Sequence, residues 1–581
     1  MTRVVVAPRF ELGGGGGGDV GDDDADEERR FDGTANDDNP PNQPKLWTLE
    51  QALDRIGAGA YQRMALLTTG LANAADAAEI LAIGLVLPAA KGDLSLDAHP
   101  WARSAITSSV FLGMLLGGLI FGPLGDRAGR RPTLALSLLI NGACGALSAL
   151  APSASLLALA RFFAGVGVGG SVPVVFAWLA EVVPRAARGQ WLVFLAAFWM
   201  VGSLFSATLG LLIIPRAGWR LFLLAVTAPA FGSAACSIFL MDESPRQALV
   251  RGRPEVAART LRRMAAMNGR PFSPARGGFA LAPLPVAPIA PAAASSSTPP
   301  LRAWLARSLL PYKQLLKPPL RQKTIPLLLG MAGISGGWYS LILWLPSYFE
   351  RRGAAVGAGL YTQTLAVSAA NLPGNIASAF LVDRAGRRAT ACGSMALAGL
   401  AALAFALAPP TPGVSLASAC VFNGVSVIGW NSLDLLGSES FPTSVRASAV
   451  GLMGAAGRLA SFASTAAAGW LTDVWLALPL FVAAGLLVGG GLAMLRLPEP
   501  AMQPLEDVSC GGGGGGGAVE MGSSAASSAA VVVGVSSSSG AELGGGAGAR
   551  EEEGEGASLL RGGAGATVVS IAPLFSPSTV R

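Results

Sequence analysis

Three carboxylates occupy positions where an ionised group is expensive. Asp76 and Glu79 fall in the middle of one long apolar run and Asp434 in another. On insertion scales each would cost about 2.5–3.5 kcal/mol at the centre of a membrane helix. Asp76 and Glu79 are about 60° apart on a helix of 3.6 residues per turn, and Asn73 lies one turn back on the same face, so this run carries a polar stripe. Asn423, Ser426, Asn431 and Asp434 form another. Thr364, Ser368, Asn371, Asn375 and Ser378 form a third, with gaps of 4, 3, 4 and 3. For the Asn, Ser and Thr residues two readings stand side by side: hydrogen bonds that hold helices together, or the wall of a polar path. For Asp76, Glu79 and Asp434 the path is the better reading, because an unpaired buried acid is an expensive fastener. Burial penalises the charged form of a carboxyl, which makes these three acids candidates for proton coupling.

The elements that must position them are membrane helices. With 51% hydrophobic and 13% charged residues and a mean hydropathy of +0.51, the chain has too little polar surface for a soluble globule. Stretches of roughly 20 apolar residues, enough to cross a bilayer, fall near 64–90, 104–125, 132–151, 154–180, 190–214 and 218–241. Six more fall near 324–349, 358–382, 389–409, 414–438, 447–471 and 475–497. We number them spans 1 to 12.

The two sets of six are copies of one unit. The hexapeptide Asp-Arg-Ala-Gly-Arg-Arg occurs at 126–131 and again at 383–388, each time where an apolar run ends. Glu181, Pro184 and Arg188 recur as Glu439, Pro442 and Arg446. The offsets, 257 and 258 residues, agree to one position, the mark of an internal duplication and a common way of building transporters. Lys and Arg concentrate in the loops after even-numbered spans, including fourteen between 242 and 323. The opposite loops hold only Lys91, Arg103, Arg216, Arg220, Arg351 and Arg352. This bias places the even-numbered loops and both termini in the cytoplasm.

Outside the spans, residues 1–45 and 498–581 read as disordered Gly-, Ser- and acid-rich cytoplasmic tails, and no apolar leader precedes span 1. Residues 46–63 hold an amphipathic interfacial helix with a capping box at Thr48 and Gln51. Residues 64–241 and 324–497 are the N- and C-terminal halves, and 242–323 is a cytoplasmic linker with interfacial helices. The net charge of +6 is explained by topology and does not point to nucleic acid. The five cysteines and the single His99 show no metal-ligand spacing. Gly165, Gly167 and Gly170 match a dinucleotide-loop spacing but lie inside an apolar span, where they suit close packing and bending instead. Arg161 in span 4 could pair with a carboxylate or reach outward, and Arg458 in span 11 is equally open. With no P-loop, nucleophile elbow or metal cluster in the sequence, an enzyme is not expected.

The stretch Gly122-Pro-Leu-Gly-Asp-Arg-Ala-Gly-Arg-Arg131 resembles the signature loop between helices 2 and 3 of the major facilitator superfamily, and its echo lies between spans 8 and 9. The resemblance implies an inner-face latch of Asp126, Arg127, Arg130 and Arg131, with Asp383 and Arg384 in the second half. Glu181, Arg188, Glu439 and Arg446 look like its companion charges. Asp76-Ala-Ala-Glu79, Phe198-Trp-Met200, Gly337-Trp-Tyr339 and Trp430-Asn-Ser-Leu-Asp434 are similar to the branch of the synaptic vesicle glycoprotein 2 transporters, their relatives and nicotinate-type carriers. That branch implies a central pocket lined by Trp199, Trp338, Tyr339, Trp430 and Asp434. Aromatic faces of this kind suit a flat ring or an organic cation. Asn371, Asn375 and Asn431 join them as candidate substrate-binding residues from the polar stripes. Spans 7 and 10 lack the sugar-porter patterns, and span 5 lacks the Gly-Pro motif of drug–proton antiporters.

The expectation is an all-α polytopic membrane protein, twelve transmembrane helices in two pseudo-symmetric six-helix halves, with the major facilitator fold. Its function would be proton-coupled transport of a small organic ion, an aromatic carboxylate such as nicotinate or an organic cation, by alternating access. A fold-retaining receptor or vesicle scaffold, or a sugar porter, are the alternatives. Its partners would be a small-molecule substrate, protons and membrane lipid, with no cofactor, metal or nucleic acid. It would act as a monomer, in the plasma membrane or an internal vesicle or vacuole membrane.

Overall fold

The computed structural model describes residues 46–97, 99–270, 280–281, 312–353, 357–409 and 411–497. The expected tails, and the Pro- and Ala-rich part of the linker, lie outside the described residues. Spans 1 to 4 are the helices Ala60–Ala89, Pro100–Ala128, Arg130–Ala149 and Ala154–Val182. Span 5 and the start of span 6 share Arg188–Val226, broken at Gly218, whose φ of 80° lies in the left-handed region that glycine adopts freely; Ala228–Phe239 completes span 6. In the second half, span 7 is Leu320–Ile342, followed by the short helix Leu345–Arg351. Span 8 is broken at Ala370 into Ala358–Ala369 and Asn371–Ala385. Spans 9 to 12 are Arg387–Leu407, Pro412–Glu439, Thr443–Val474 and Leu478–Met494.

Among the described residues, nine helical segments are by themselves long and apolar enough to cross a membrane. One of these, Arg185–Phe239, contains two spans. Leu67, Leu119, Val193, Phe380, Leu400 and Trp470 lie exposed on the outside of the bundle, as expected where the solvent is lipid and backbone polar groups are satisfied within each helix.

The duplication legible in the sequence governs the packing. Span 1 lies against span 5 and span 7 against span 11, while span 2 lies against span 4 and span 8 against span 10. Across the boundary between halves, span 2 meets span 11 and span 5 meets span 8. Advancing each span by six carries the first of these contacts onto the second, so the interface is self-complementary under the pseudo-twofold.

Glycine sets the closest of these approaches. A Cβ on Gly165 would sit 2.1 Å from the carbonyl oxygen of Val110, and one on Gly117 would sit 2.1 Å from that of Val166, so spans 2 and 4 touch backbone to backbone. On Gly167 it would meet the backbone of Asn141 and Ser137 in span 3. The glycine pattern in span 4 is therefore a packing device.

The amphipathic helix is Leu49–Ile56, shorter than the expected 46–63 segment. Gly57 ends it at a φ of 69°, and span 1 then begins at Ala60 rather than 64. Its capping box is formed: the Thr48 hydroxyl accepts from the Gln51 amide at 3.3 Å and the Gln51 side chain accepts from the Thr48 amide at 3.0 Å. Its buried face of Leu49, Leu53 and Ile56 packs in one cluster with Trp178, Val182, Leu261 and Met264. Asn268, just after the linker helix Pro254–Met267, clamps this region. Its Oδ1 accepts from the Tyr61 amide at 3.0 Å, while its Nδ2 donates to Gly57 O at 3.1 Å and Gln62 Oε1 at 2.9 Å. A parallel pairing of Leu46–Trp47 with Ala280–Leu281 is the one strand pairing among the described residues. We call the end of the bundle that carries this assembly the linker face, and the other the far face. On the far face, hydrogen bonds from Trp219 and Arg220 hold the Asp93 carboxyl below its usual range.

Replacing Gly165 by valine should destabilise the folded bundle by about 1–3 kcal/mol or more through overpacking. Gly122→Ala, where an added Cβ has open space, serves as the control. Thermal melts of the two variants in detergent would separate the cases, and equal melting temperatures would refute the backbone contact.

Candidate functional site

The three membrane acids sit in three different settings. Glu79 is closed in an ion pair: Arg161 Nη2 lies 2.5 Å from Glu79 Oε1, with side chains only 1% and 2% exposed. The same guanidinium donates to Ser148 Oγ through Nε at 3.0 Å and Nη2 at 2.8 Å. It also reaches the Glu79 carbonyl at 3.4 Å. Arg161, left open between pairing and reaching outward, is therefore the counter-ion of Glu79. Asp76, one turn earlier, is fully buried; Asn141 Nδ2 donates to its Oδ1 at 3.0 Å and Ser171 Oγ to its Oδ2. These partners come from spans 3 and 4, so a single acid joins three helices of the first half. Asp434 differs from both in being exposed on span 10, with no hydrogen bond or ion pair among the described residues.

The aromatic residues converge. Trp338 and Tyr339 on span 7 pack edge-on with ring centroids 4.7 Å apart. Trp430 on span 10 meets Trp338 at 6.2 Å and Tyr339 at 6.3 Å. Phe111 of span 2 packs on Tyr339 at 4.7 Å, joining the cluster to the opposite half. Trp338 and Tyr339 are buried, whereas Trp430 and Trp199 are half-buried at the edge of the same core. Trp338 Nε1 donates to Asn423 Oδ1 at 3.0 Å, and Asn423 in turn donates to the Val367 carbonyl at 2.8 Å. That second bond ties span 10 to span 8. Asp434 lies one turn beyond Trp430, on the same face of its helix.

The amide stripes serve in large part as fasteners between helices. Asn431 Nδ2 donates to Asn375 Oδ1 at 3.0 Å and to Ser378 Oγ at 2.8 Å, joining spans 10 and 8. Asn375 also donates to the Asn371 carbonyl at 3.1 Å. Asn371 is buried and its Oδ1 has no hydrogen-bond partner. In the first half, Asn73 donates to the Leu195 carbonyl at 3.0 Å, tying span 1 to span 5.

At the linker face, Arg130 is the hub. Its guanidinium pairs with Asp126 at 3.1 Å and Glu181 at 3.3 Å, and its amide donates to Glu243 Oε1 at 2.8 Å and Gln247 Oε1 at 3.0 Å. The duplicated counterpart in the second half is Arg387 with Glu439, at 3.3 Å. Arg188 pairs at 2.9 Å with Glu50 of the amphipathic helix rather than with Glu181. Arg131 donates to the Ile238 carbonyl and Arg446 to that of Phe441. Arg127 and Arg384 are exposed, and the Asp383 side chain lies outside the described residues. Every linker-face ion pair among the described residues thus stays within one half.

The far face is where the halves are locked together, and sequence reasoning missed it. Arg103 at the start of span 2 donates from Nη2 to both oxygens of Asp473 at the end of span 11, each at 2.7 Å, with its own side chain buried. Arg351 approaches the same carboxylate at 3.5 Å and Asp97 approaches Arg103 at 3.8 Å. Arg103 counted only as a loop charge in the sequence, and Asp473 lies 370 residues away in the other half. Nothing local in the chain announces the pair.

The profile of the Major Facilitator Superfamily matches residues 69–465. The chain belongs to that superfamily. It is an integral multi-pass membrane protein of a transporter family, whose members are not enzymes. It is 25% identical to synaptic vesicle glycoprotein 2C of Rattus norvegicus, with 78% of this chain and 81% of the relative covered. It is 29% identical to organic cation/carnitine transporter 7 of Arabidopsis thaliana, over 71% and 86% of the two chains. With the niacin transporter NiaP of Acinetobacter baylyi the identity is 27%, over 72% and 88%. Among solved structures, the xylose transporter XylE from E. coli in a partially occluded inward open conformation superposes with a TM-score of 0.58. The identity there is 17%, covering 77% of this chain and all of that one, a likeness of fold.

Two of these contacts can be probed by substitution. Arg161→Met should destabilise the protein by about 3–5 kcal/mol by leaving Glu79 unpaired in the core, while the double variant Glu79→Gln/Arg161→Met should recover much of the loss. Thermal melts of the two check this. Asp473→Asn should loosen the far face, so that a cysteine at Ser104 reacts several-fold faster with a membrane-impermeant maleimide than in the parent. An unchanged rate would remove the latch.

Proposed function

We propose that this protein is a proton-coupled secondary transporter of a small organic ion, working by rocking of its two halves around a site midway through the bundle. The observation that carries the reading is Asp434. It is an accessible carboxyl one turn from an aromatic cluster whose rings come from both halves. A ring-bearing cargo would stack against Trp430, Trp338 and Tyr339, with Trp199 at the edge, and Asn371 offers an unsatisfied acceptor nearby on span 8. Asp434 and Asp76 are the groups proposed to take up and release the proton. Glu79, neutralised by Arg161, would hold span 1 against span 4 while they do so.

The linker face is read as cytoplasmic from the excess of Lys and Arg in its loops. On that reading the Arg103–Asp473 clasp closes the outer side, while the inner ion pairs among the described residues each stay within one half. Reversal would break the clasp and bring Asp126, Arg130 and the second copy of the motif, Asp383 with Arg384, towards the opposite half as a latch. The niacin transporter and the organic cation/carnitine transporter among the relatives support a small organic ion as cargo. The location would be the plasma membrane or an internal vesicle membrane, and the unit a monomer.

The test is uptake into proteoliposomes of radiolabelled nicotinate, benzoate, tetraethylammonium and xylose with and without an inward proton gradient. At least one organic ion should accumulate with the gradient, and Asp434→Asn or Asp76→Asn should abolish the response to it. Indifference of every flux to the gradient would eliminate proton coupling, and binding without flux would favour a fold-retaining receptor.

A further inference from the structure

A further charge inside the bundle is Arg458. It lies in the middle of span 11, half-buried, and among the described residues it has no hydrogen bond or ion pair. An unpaired guanidinium at that depth is as expensive as an unpaired acid. Its neighbour Gly457 packs so closely on span 7 that an added Cβ would meet Ser335 Oγ at 2.6 Å. Ser335 is one turn from Tyr339, so Arg458 is held at the level of the aromatic cluster. Within electrostatic range of it, on three other helices, lie Asp434 on span 10, Asp76 on span 1 and Tyr339 on span 7. Glu79, close to Asp76, is already neutralised by Arg161.

From this arrangement we infer that Arg458 receives the carboxylate of an aromatic organic anion, and that the cargo enters together with a proton that neutralises Asp434. The inference rests on the proton-coupled reading above and adds the sign of the cargo. With Asp434 ionised, Arg458 is balanced at a distance by that acid and a second carboxylate would be repelled. With Asp434 protonated, the guanidinium is the uncompensated charge facing the rings. It can then accept a carboxylate in the two-pronged geometry that arginine favours, while the cargo's ring lies against Trp430. A cation in the same state would meet a neutral acid and a positive guanidinium. The proton comes from water on the loading side and returns to water on the other, so proton and anion cross together without net charge.

The experiment uses the full chain in proteoliposomes, with nicotinate, its neutral amide nicotinamide and tetraethylammonium as probes, and reads uptake beside equilibrium binding by tryptophan fluorescence. Nicotinate should bind and be taken up in preference to nicotinamide, more tightly as pH falls towards 5. Arg458→Gln should weaken nicotinate binding roughly tenfold or more, the order expected on losing a charge-assisted contact. Arg458→Lys should retain part of it, which separates loss of charge from loss of fold. In Asp434→Asn, nicotinate binding should persist and lose its pH dependence. The inference is overturned if Arg458→Gln binds nicotinate as the parent does, or if the parent binds no carboxylate. Proton-driven tetraethylammonium uptake that survives Arg458→Gln would overturn the anionic cargo and leave the transporter standing. Nicotinate binding that depends on Arg458 without any flux would support the site while overturning transport.

Discussion

A polar group inside a bilayer has no water to fall back on, so each one must find its partner within the protein or face a wet cavity. Most of this molecule can be read as a response to that constraint. Glu79 finds Arg161, Asp76 finds Asn141 and Ser171, Asn73 finds the Leu195 carbonyl, and Asn423 and Asn431 tie span 10 to span 8. Each partnership joins different helices, so satisfying the polar groups also fixes the bundle. Asp434 and Arg458 stand out against this background because among the described residues neither has a direct partner.

The two faces of the bundle use the same chemistry for opposite ends. At the linker face, Arg130 with Glu181 and Arg387 with Glu439 brace each half internally, and Glu243 and Gln247 add a second layer of acceptors around Arg130. At the far face, Arg103 and Asp473 bridge the halves directly, with both carboxylate oxygens engaged by a largely buried guanidinium. A buried ion pair adds little net stability because desolvation offsets its attraction, whereas parting its members is costly. Such a pair suits a contact that must be discrete, made or unmade, between two rigid bodies.

The geometry also sorts the polar stripes that the sequence left with two readings. On span 8, Asn375 and Ser378 are engaged by Asn431 and act as fasteners, while the buried Asn371 Oδ1 is unsatisfied. Asp434 shares a stripe with Asn423 and Asn431 yet differs from both in its exposure. Periodicity places residues on one face of a helix; it does not say whether a neighbouring helix or a cavity lies opposite.

By itself the sequence determined the number of spans, the duplication, the capping box and the residue types of the polar interior, because these follow from local composition, helical period and repeat spacing. It also carried the family, through the motif at 122–131 and its echo. Only the tertiary structure decided the pairings. Glu79 with Arg161, Arg188 with Glu50 rather than Glu181, and Arg103 with Asp473 are set by which helices the fold brings side by side. Such partners are separated by tens to hundreds of residues, and a charge carries no local mark of the one it will meet.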